Sequence, residues 1–298
     1  MELILTNKNG QTLDLLNNEN RFVLIGCDAL HGIDTDIQDV SSPYLDGTII
    51  ENVKATPRGI SMTFAVLPPI RDSIDFFTSI VKSKQWVTLS ETENGKEIQI
   101  KGIATIPPYT RMEALCKIQL SIYCGQPYWE DIDAVVGAIS TIIPKLFFPA
   151  STGQFFTPVL GTRGGRVFGV IDLNATKTFD NDGDVSVGMH IYITAFGEIT
   201  NPRISCQTGE QNGWWMQLGD EDNPLVLHDH DEVDICTIKG SKYIKINGSD
   251  EYDGKPVLSY LAFNGTDWLQ LETGENTFNI SPRNADAYFT INFKRRYE

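Results

Sequence analysis

His228-Asp229-His230-Asp231-Glu232 is the stretch whose residue types come nearest to a chemical site. Paired imidazoles flanked by carboxylates are donors that zinc or calcium chemistry uses, and Asp220, Glu221 and Asp222 stand close by in the chain. In an extended segment His228 and His230 point to one face and Asp229 and Asp231 to the other, so a coordination shell needs a third ligand from elsewhere. The spacing also lacks the central Gly and terminal Glu of a calcium loop. A solvated acidic edge is the reading it favours, and no metal is expected. Gly161-Thr162-Arg163-Gly164-Gly165-Arg166 would cradle a phosphate only if it led from a strand into a helix, and Val167-Phe168-Gly169-Val170 reads as extended. No motif frames a Ser or Cys nucleophile, and the carboxylates are too loosely placed to single out an acid and a base. Neither catalysis nor a cofactor is expected; the chemistry left is that of surfaces.

The elements that must position those surfaces are mostly strands. One stretch, Pro68 to Lys84, reads as an amphipathic helix: Ile70, Ile74, Phe77 and Val81 make an apolar stripe widened by Phe76 and Ile80, while Arg71, Asp72, Asp75 and Ser79 take the other face. Two prolines open it, and Lys82 and Lys84 suit the negative end of its dipole. A lone helix must bury its stripe on a sheet, so the first half is expected to be α+β. Ile60, Met62, Phe64 and Val66 alternate as a half-buried strand before it, and Trp86 to Leu89 and Glu97 to Ile106 follow as strands. Lys101-Gly102 suggests a bulge. Leu115, Ile118, Leu120 and Ile122 do not all fall on one face, which implies a kink or bulge. Ile33 to Thr56 is polar and turn-rich, an extended hairpin or long loop that projects and pairs with something.

At 298 residues the chain has room for two cores. A formal net charge of −15 argues against a phosphate-gripping surface, so no nucleic-acid binding is expected. The first residues lack the basic start and long apolar run of a secretory signal, and Ala134 to Pro144 is too short to span a membrane. Synthesis in a reducing cytoplasm is therefore expected. Cys27, Cys116, Cys124, Cys206 and Cys236 are scattered and odd in number, which suggests reduced structural thiols, with Cys116 and Cys124 facing one side of a sheet.

The strand that ends at Tyr123 runs into Gly125-Gln126-Pro127-Tyr128-Trp129. Strand, helix, strand, hairpin and long strand, ended by a small residue and then Pro-Tyr-Trp, resembles the N-terminal domain of the distal tail proteins of long-tailed siphovirus bacteriophages such as those of lactococci. Members often carry Asp where this chain has Gln126. From Gly188 onward short strands follow one another, from His190 to Phe196 through Trp268 to Leu271 to Ala287 to Phe293, with Asn247-Gly248, Asp253-Gly254 and Asn264-Gly265 as turns. This suits the galectin-like β-sandwich that the family carries here. The division expected is 1–132, a ring-forming belt domain, and 133–298, a galectin-like sandwich, with an extended arm at about 145–180. Phe147, Phe148, Phe155, Phe156, Phe168, Arg163 and Arg166 in that arm are the candidate partner-binding residues, because rings on a Gly- and Pro-broken support suit protein partners.

The resemblance implies a structural virion protein at the distal end of the tail. It implies a homohexameric hub that joins the tail tube protein to tail-associated or fibre proteins and to receptor-binding protein. Its alternative is a carbohydrate-binding β-sandwich module. Asn201-Pro202-Arg203 resembles part of the sugar-binding strand of galectins, but Ile199 stands where they carry His, and Asn212-Gly213-Trp214-Trp215 fits their second signature poorly. Trp214 and Trp215 alternate, so at least one is expected in the core.

Overall fold

Period-two alternation and one amphipathic helix produce a mainly β protein with two separate hydrophobic cores. The structure, a computed structural model, describes the chain apart from residues 18, 20, 42, 43, 45, 109–115, 140, 141, 145–168, 172–175, 250, 251, 253–256, 263–267 and 282–286.

The first unit comprises Met1–Asp133 and Arg296–Glu298. Its strands are β1 (Glu2–Asn7), β2 (Thr12–Asp14), β3 (Phe22–Asp28), β4 (Thr35–Ser41), β5 (Thr48–Ala55), β6 (Arg58–Val66), β7 (Gln85–Glu93), β8 (Lys96–Thr105), β9 (Cys116–Cys124) and β10 (Trp129–Asp131), with helix α1 (Ile70–Ile80) between β6 and β7. An antiparallel sheet runs β2-β1-β7-β8-β9-β6-β3. Ile70, Ile74, Phe77 and Ile80 form the buried stripe of α1, while Arg71, Asp72 and Asp75 are exposed. Phe77 meets Phe22 edge-on at 5.5 Å and Phe64 at 5.7 Å, a geometry that adds specificity to burial worth roughly 1.5–3 kcal/mol per ring. The helix ends sooner than its composition suggests. Val81 is already extended, so Lys82 and Lys84 lie beyond the last turn. Its C-terminal carbonyl is met instead by Asn7, whose amide donates to the Ile80 carbonyl at 2.9 Å and whose oxygen accepts from the Asn9 and Gln11 N–H groups.

In β9, Cys116, Ile118, Leu120, Ile122 and Cys124 are buried in strict alternation, and its register with β6 is unbroken, so no kink or bulge falls within the described Cys116–Cys124. Leu115, the one residue of the other phase, lies outside the described residues. Likewise β8 runs without a shift against β7 through Lys101 and Gly102. The irregularity lies on its other side. Ile103 pairs with Tyr123 and Gln99 with Glu130, so four steps along β8 face seven along the neighbouring chain. Residues 125–128 carry the excess, and a Cβ on Gly102 would sit 2.6 Å from Ile122 Cγ2 and 2.7 Å from the Tyr123 carbonyl. Glycine is required where β9 gives way to β10.

The second unit is Ala134–Arg295. It contains β11 (Val135–Ala138), β12 (Ile142–Pro144), β13 (Gly169–Ile171), β14 (Thr176–Asn181), β15 (His190–Ala195), β16 (Ile199–Thr200), β17 (Arg203–Cys206), β18 (Trp215–Gln217), β19 (Val226–Leu227), β20 (Glu232–Cys236), β21 (Tyr243–Asn247), β22 (Gly274–Ser281) and β23 (Ala287–Phe293). Sheets β11-β23-β15-β20-β21 and β14-β22-β17-β18 share one core, a β-sandwich. The end of the expected arm belongs to it: Phe179 is buried on β14 against Phe278 and Phe293, because Phe179 and Asn181 alternate inward. Neither Trp214 nor Trp215 is core; Met216 takes the inward place and Trp215 faces out. Trp268 to Leu271 makes only a single bridge, Leu271 with Val187, rather than a strand.

The last residues do not stay with the sandwich. Strand β24 (Arg296–Tyr297) pairs with β10 in the first unit. Arg296 donates from Nε and Nη2 to Glu130 at 2.9 Å, Tyr297 donates to Asp131 at 3.0 Å, and Lys96 lies over the Tyr297 ring. Gln126, oriented to accept, receives the same guanidinium at 2.7 Å.

Phe77→Asp is expected to cost the first unit more than about 4 kcal/mol, since a charge replaces a buried ring, while exposed Asp75→Ala stays within about 0.5 kcal/mol. Equal losses in thermal melts would mean the wrong face is buried. Tyr297→Ala should lower the first unit's transition by about 2–4 kcal/mol and leave the sandwich transition in place, read by calorimetry.

Candidate functional site

Strands β4 and β5 form a two-stranded hairpin that joins neither core. Every residue of the two strands except Ala55 is exposed. The sequence is nonetheless rich in aliphatic residues: Ile37, Val40, Ile49, Ile50 and Val53 are each 46–61% exposed. Ile37 faces Val53 and Asp39 faces Ile50, and the register shift between Gln38 and Asp39 leaves Glu51 as the extra residue. That bulge puts Ile37, Ile50 and Val53 on one side of the ribbon, with Val40 and Ile49 on the other. A free two-stranded hairpin is marginal in water, and one with aliphatic side chains on both faces asks for a partner.

The stem, in contrast, is firmly held. Thr56 donates to the Asp34 carbonyl from its N–H at 2.8 Å and from its hydroxyl at 3.1 Å. The Leu30 carbonyl accepts from Arg58 Nη1 at 2.7 Å and from Trp129 Nε1 at 2.9 Å, and His31 Nε2 lies 3.3 Å from the buried Glu91 carboxylate. Burial lowers the pKa of the Arg58 guanidinium and pushes the nearby Cys124 thiol up to about 11, while burial with Asp28 and Glu91 raises Cys27. These thiols are free and poorly ionised, which fits a structural role.

Two further apolar surfaces lie in the same unit. The sheet order ends at β3, whose Val23 and Ile25 are about half exposed, so among the described residues its outer edge offers unpaired backbone groups beside aliphatic side chains. Across β7, β8 and β9, Trp86, Ile103 and Tyr123 form a cross-strand row, with Trp86 61% and Tyr123 57% exposed.

The candidates read from sequence fall differently. Phe147, Phe148, Phe155, Phe156, Arg163, Arg166 and Phe168 lie outside the described residues; the antiparallel pair β12 and β13 brackets them. His228 to Glu232 is a turn rather than an extended segment, because His230 has φ of +75°. Asp231 is buried and accepts from the His228 N–H at 2.8 Å, and Asp220 accepts from the Asp222 and Asn223 N–H groups. Among the described residues no group of three or more His, Cys, Asp or Glu is placed to hold a metal ion. Asn201 is used within the fold, accepting from the Leu225 N–H and donating to the Asp220 carbonyl, while Arg203 stacks 4.4 Å over Trp215. The exposed aliphatic residues of the hairpin had a signal in the sequence, Ile49-Ile50 and Val53 within a polar segment, but strand pairing was needed to see that neither described core covers them.

Comparison with known proteins gives a fold. No protein-family model matches the chain, and no curated protein is significantly similar in sequence. Among solved structures, the Dit protein of phage SPP1, described as a paradigm of the hub adsorption apparatus in phages infecting Gram-positive bacteria, superposes with a TM-score of 0.59 at 11% identity over 98% of both chains. A chain of the phage p2 baseplate in its activated conformation is also similar at 11% identity, with a TM-score of 0.41 over 98% of this chain and 97% of that one. The chain thus has the fold of the SPP1 Dit protein.

Removing the indole donor with Trp129→Phe should cost about 1 kcal/mol and speed amide exchange in residues 28–34 at the hairpin stem. Exchange there unchanged from the parent protein would show that the Leu30 carbonyl is held without it.

Proposed function

We propose that this chain is a structural hub protein of a bacteriophage tail tip, not an enzyme, whose first unit closes into a homohexameric ring. The observation that carries the reading is the two-faced aliphatic hairpin, held rigidly at its stem and covered by nothing among the described residues, on a fold shared over 98% of the chain with a phage hub protein. A ring needs one patch meeting a different patch on the next subunit. The hairpin and the open edge of β3 are two such patches. In this proposal the ring continues the tail tube protein, and the sandwich faces tail-associated or fibre proteins and receptor-binding protein. Residues 145–168, with Phe147, Phe148, Phe155, Phe156, Arg163, Arg166 and Phe168, are proposed as the partner-binding arm. The net charge of −15 suits a conduit that must let DNA pass without holding it.

Gold-labelled antibody against the chain should mark the distal end of the tails of the phage that encodes it. Virions free of the protein would refute the proposal. Ile37→Asp combined with Ile50→Asp alters only exposed side chains, so melting should stay within about 0.5 kcal/mol while light scattering shows the ring lost. An intact ring in that variant would move the contact away from the hairpin.

A further inference from the structure

Of the exposed apolar surfaces in the first unit, one carries charge of the opposite sign to the hairpin. Trp86, Ile103 and Tyr123 stand side by side across β7, β8 and β9, and Gly59 on β6 carries the row on into open space, since a Cβ there would meet nothing within 4 Å. The rows beside it, Thr88 with Lys101 and Thr105 with Ser121 and Ser61, hold hydroxyls and one cation. Further along the same face come Gln119, which donates to the Ser61 hydroxyl at 2.8 Å, then Thr63, and Lys117 opposite Ala65. Between the Thr88 row and the Lys117 row this face of β6, β7, β8 and β9 carries no carboxylate, in a chain of net charge −15. Exposed Lys84 comes two residues before Trp86, and among the described residues Lys84, Lys101 and Lys117 make no ion pair.

The hairpin is the complement of this face. Between Ile33 and Thr56 it holds Asp34, Asp36, Asp39, Asp46 and Glu51 against Lys54 alone, and Lys54 is spent on Asp36 at 3.3 Å. That pair stands on the side of Val40 and Ile49. The other side presents Ile37, Val53 and Ile50 with Asp39 opposite Ile50, and among the described residues Asp39 makes no ion pair. The sizes agree as well: the row from Trp86 to Tyr123 spans two strand spacings, about 10 Å, while the aliphatic patch runs two residues along a two-stranded ribbon, about 7 Å. The β3 edge is a poorer receiver for this side, because Asp28 stands at its end and would face the hairpin's own carboxylates. Exposed rings ringed by unpaired cations suit an aliphatic ribbon that brings an unpaired carboxylate, with the rings supplying most of the affinity and the charges the register.

We propose that the Trp86–Ile103–Tyr123 row receives the hairpin of a second copy of this chain, with Ile37, Ile50 and Val53 on the rings and Asp39 turned toward Lys101. The inference rests on the ring proposed above and names the surface on which the hairpin lands. One patch meets a different patch, as a head-to-tail contact requires. Sedimentation velocity on the full chain over a concentration series tests it. Trp86→Ala should raise the concentration of half-assembly about tenfold or more, and Asp39→Lys and Lys101→Asp should each raise it too, all with parental melting because these side chains are exposed. Asp39→Lys combined with Lys101→Asp should bring assembly back to within about threefold of the parent, since the reversed charges meet again at every contact. Lys177→Asp, an equal reversal on an exposed position of the sandwich, should leave assembly unchanged. Parental assembly by Trp86→Ala, or no recovery in the doubly reversed chain, would overturn the proposal while the ring stands, and would leave the row to a different partner. A parent chain that never assembles would refute the ring and this contact with it.

Discussion

Three parts of the first unit depend on Trp129, which is fully buried. Its indole N–H holds the Leu30 carbonyl at the foot of the hairpin, its backbone pairs with Tyr297, and the strand it opens continues along β8 after the break at Gly102. The chain leaves the first unit after Asp133 and re-enters it at Arg296, beside the strand it left from. The sandwich is therefore an insertion between two paired strands, and the first unit is complete only when the end of the chain has returned. A buried tryptophan at such a junction has no interchangeable substitute: a smaller ring loses packing, and any ring without the N–H removes one of the two donors, Trp129 and Arg58, that meet the Leu30 carbonyl.

The parts of the fold that were legible in the sequence are those set by local periodicity. The stripe Ile70, Ile74, Phe77 marked the helix, Ile60 to Val66 marked β6, and the even spacing of Cys116 and Cys124 placed both thiols on the inner face of β9. Long-range pairing was not legible. Gly102 drew attention as a possible bulge, but its reason is the crossing of Ile122 and Tyr123, more than a dozen residues away. The return of Arg296 and Tyr297 to β10 had no local signal, since two residues cannot show a period. Trp214-Trp215 misled because alternation fixes opposite faces without telling which one is buried, and the strand starts only at Trp215.

The candidate site shows the same division. The projecting segment from Ile33 to Thr56 was readable from its polarity and turns, and it is a hairpin. Its two-sided aliphatic surface came from a bulge at Glu51 that moves Ile50 to the face of Ile37 and Val53, a consequence of register. The His228 to Glu232 stretch looked like ligand chemistry only while it was taken as extended. As a turn, it spends Asp231 on a backbone N–H. Rigid stem, ribbon uncovered by the described residues and open β3 edge are the surfaces on which the proposed assembly rests.

Native mass spectrometry of the purified full chain tests the central claim most directly, because a ring closed by head-to-tail contacts has a single discrete stoichiometry. The account predicts a dominant species of six chains. A protein that stays monomeric at concentrations well above the micromolar range, or that forms open-ended series of increasing mass, would contradict it.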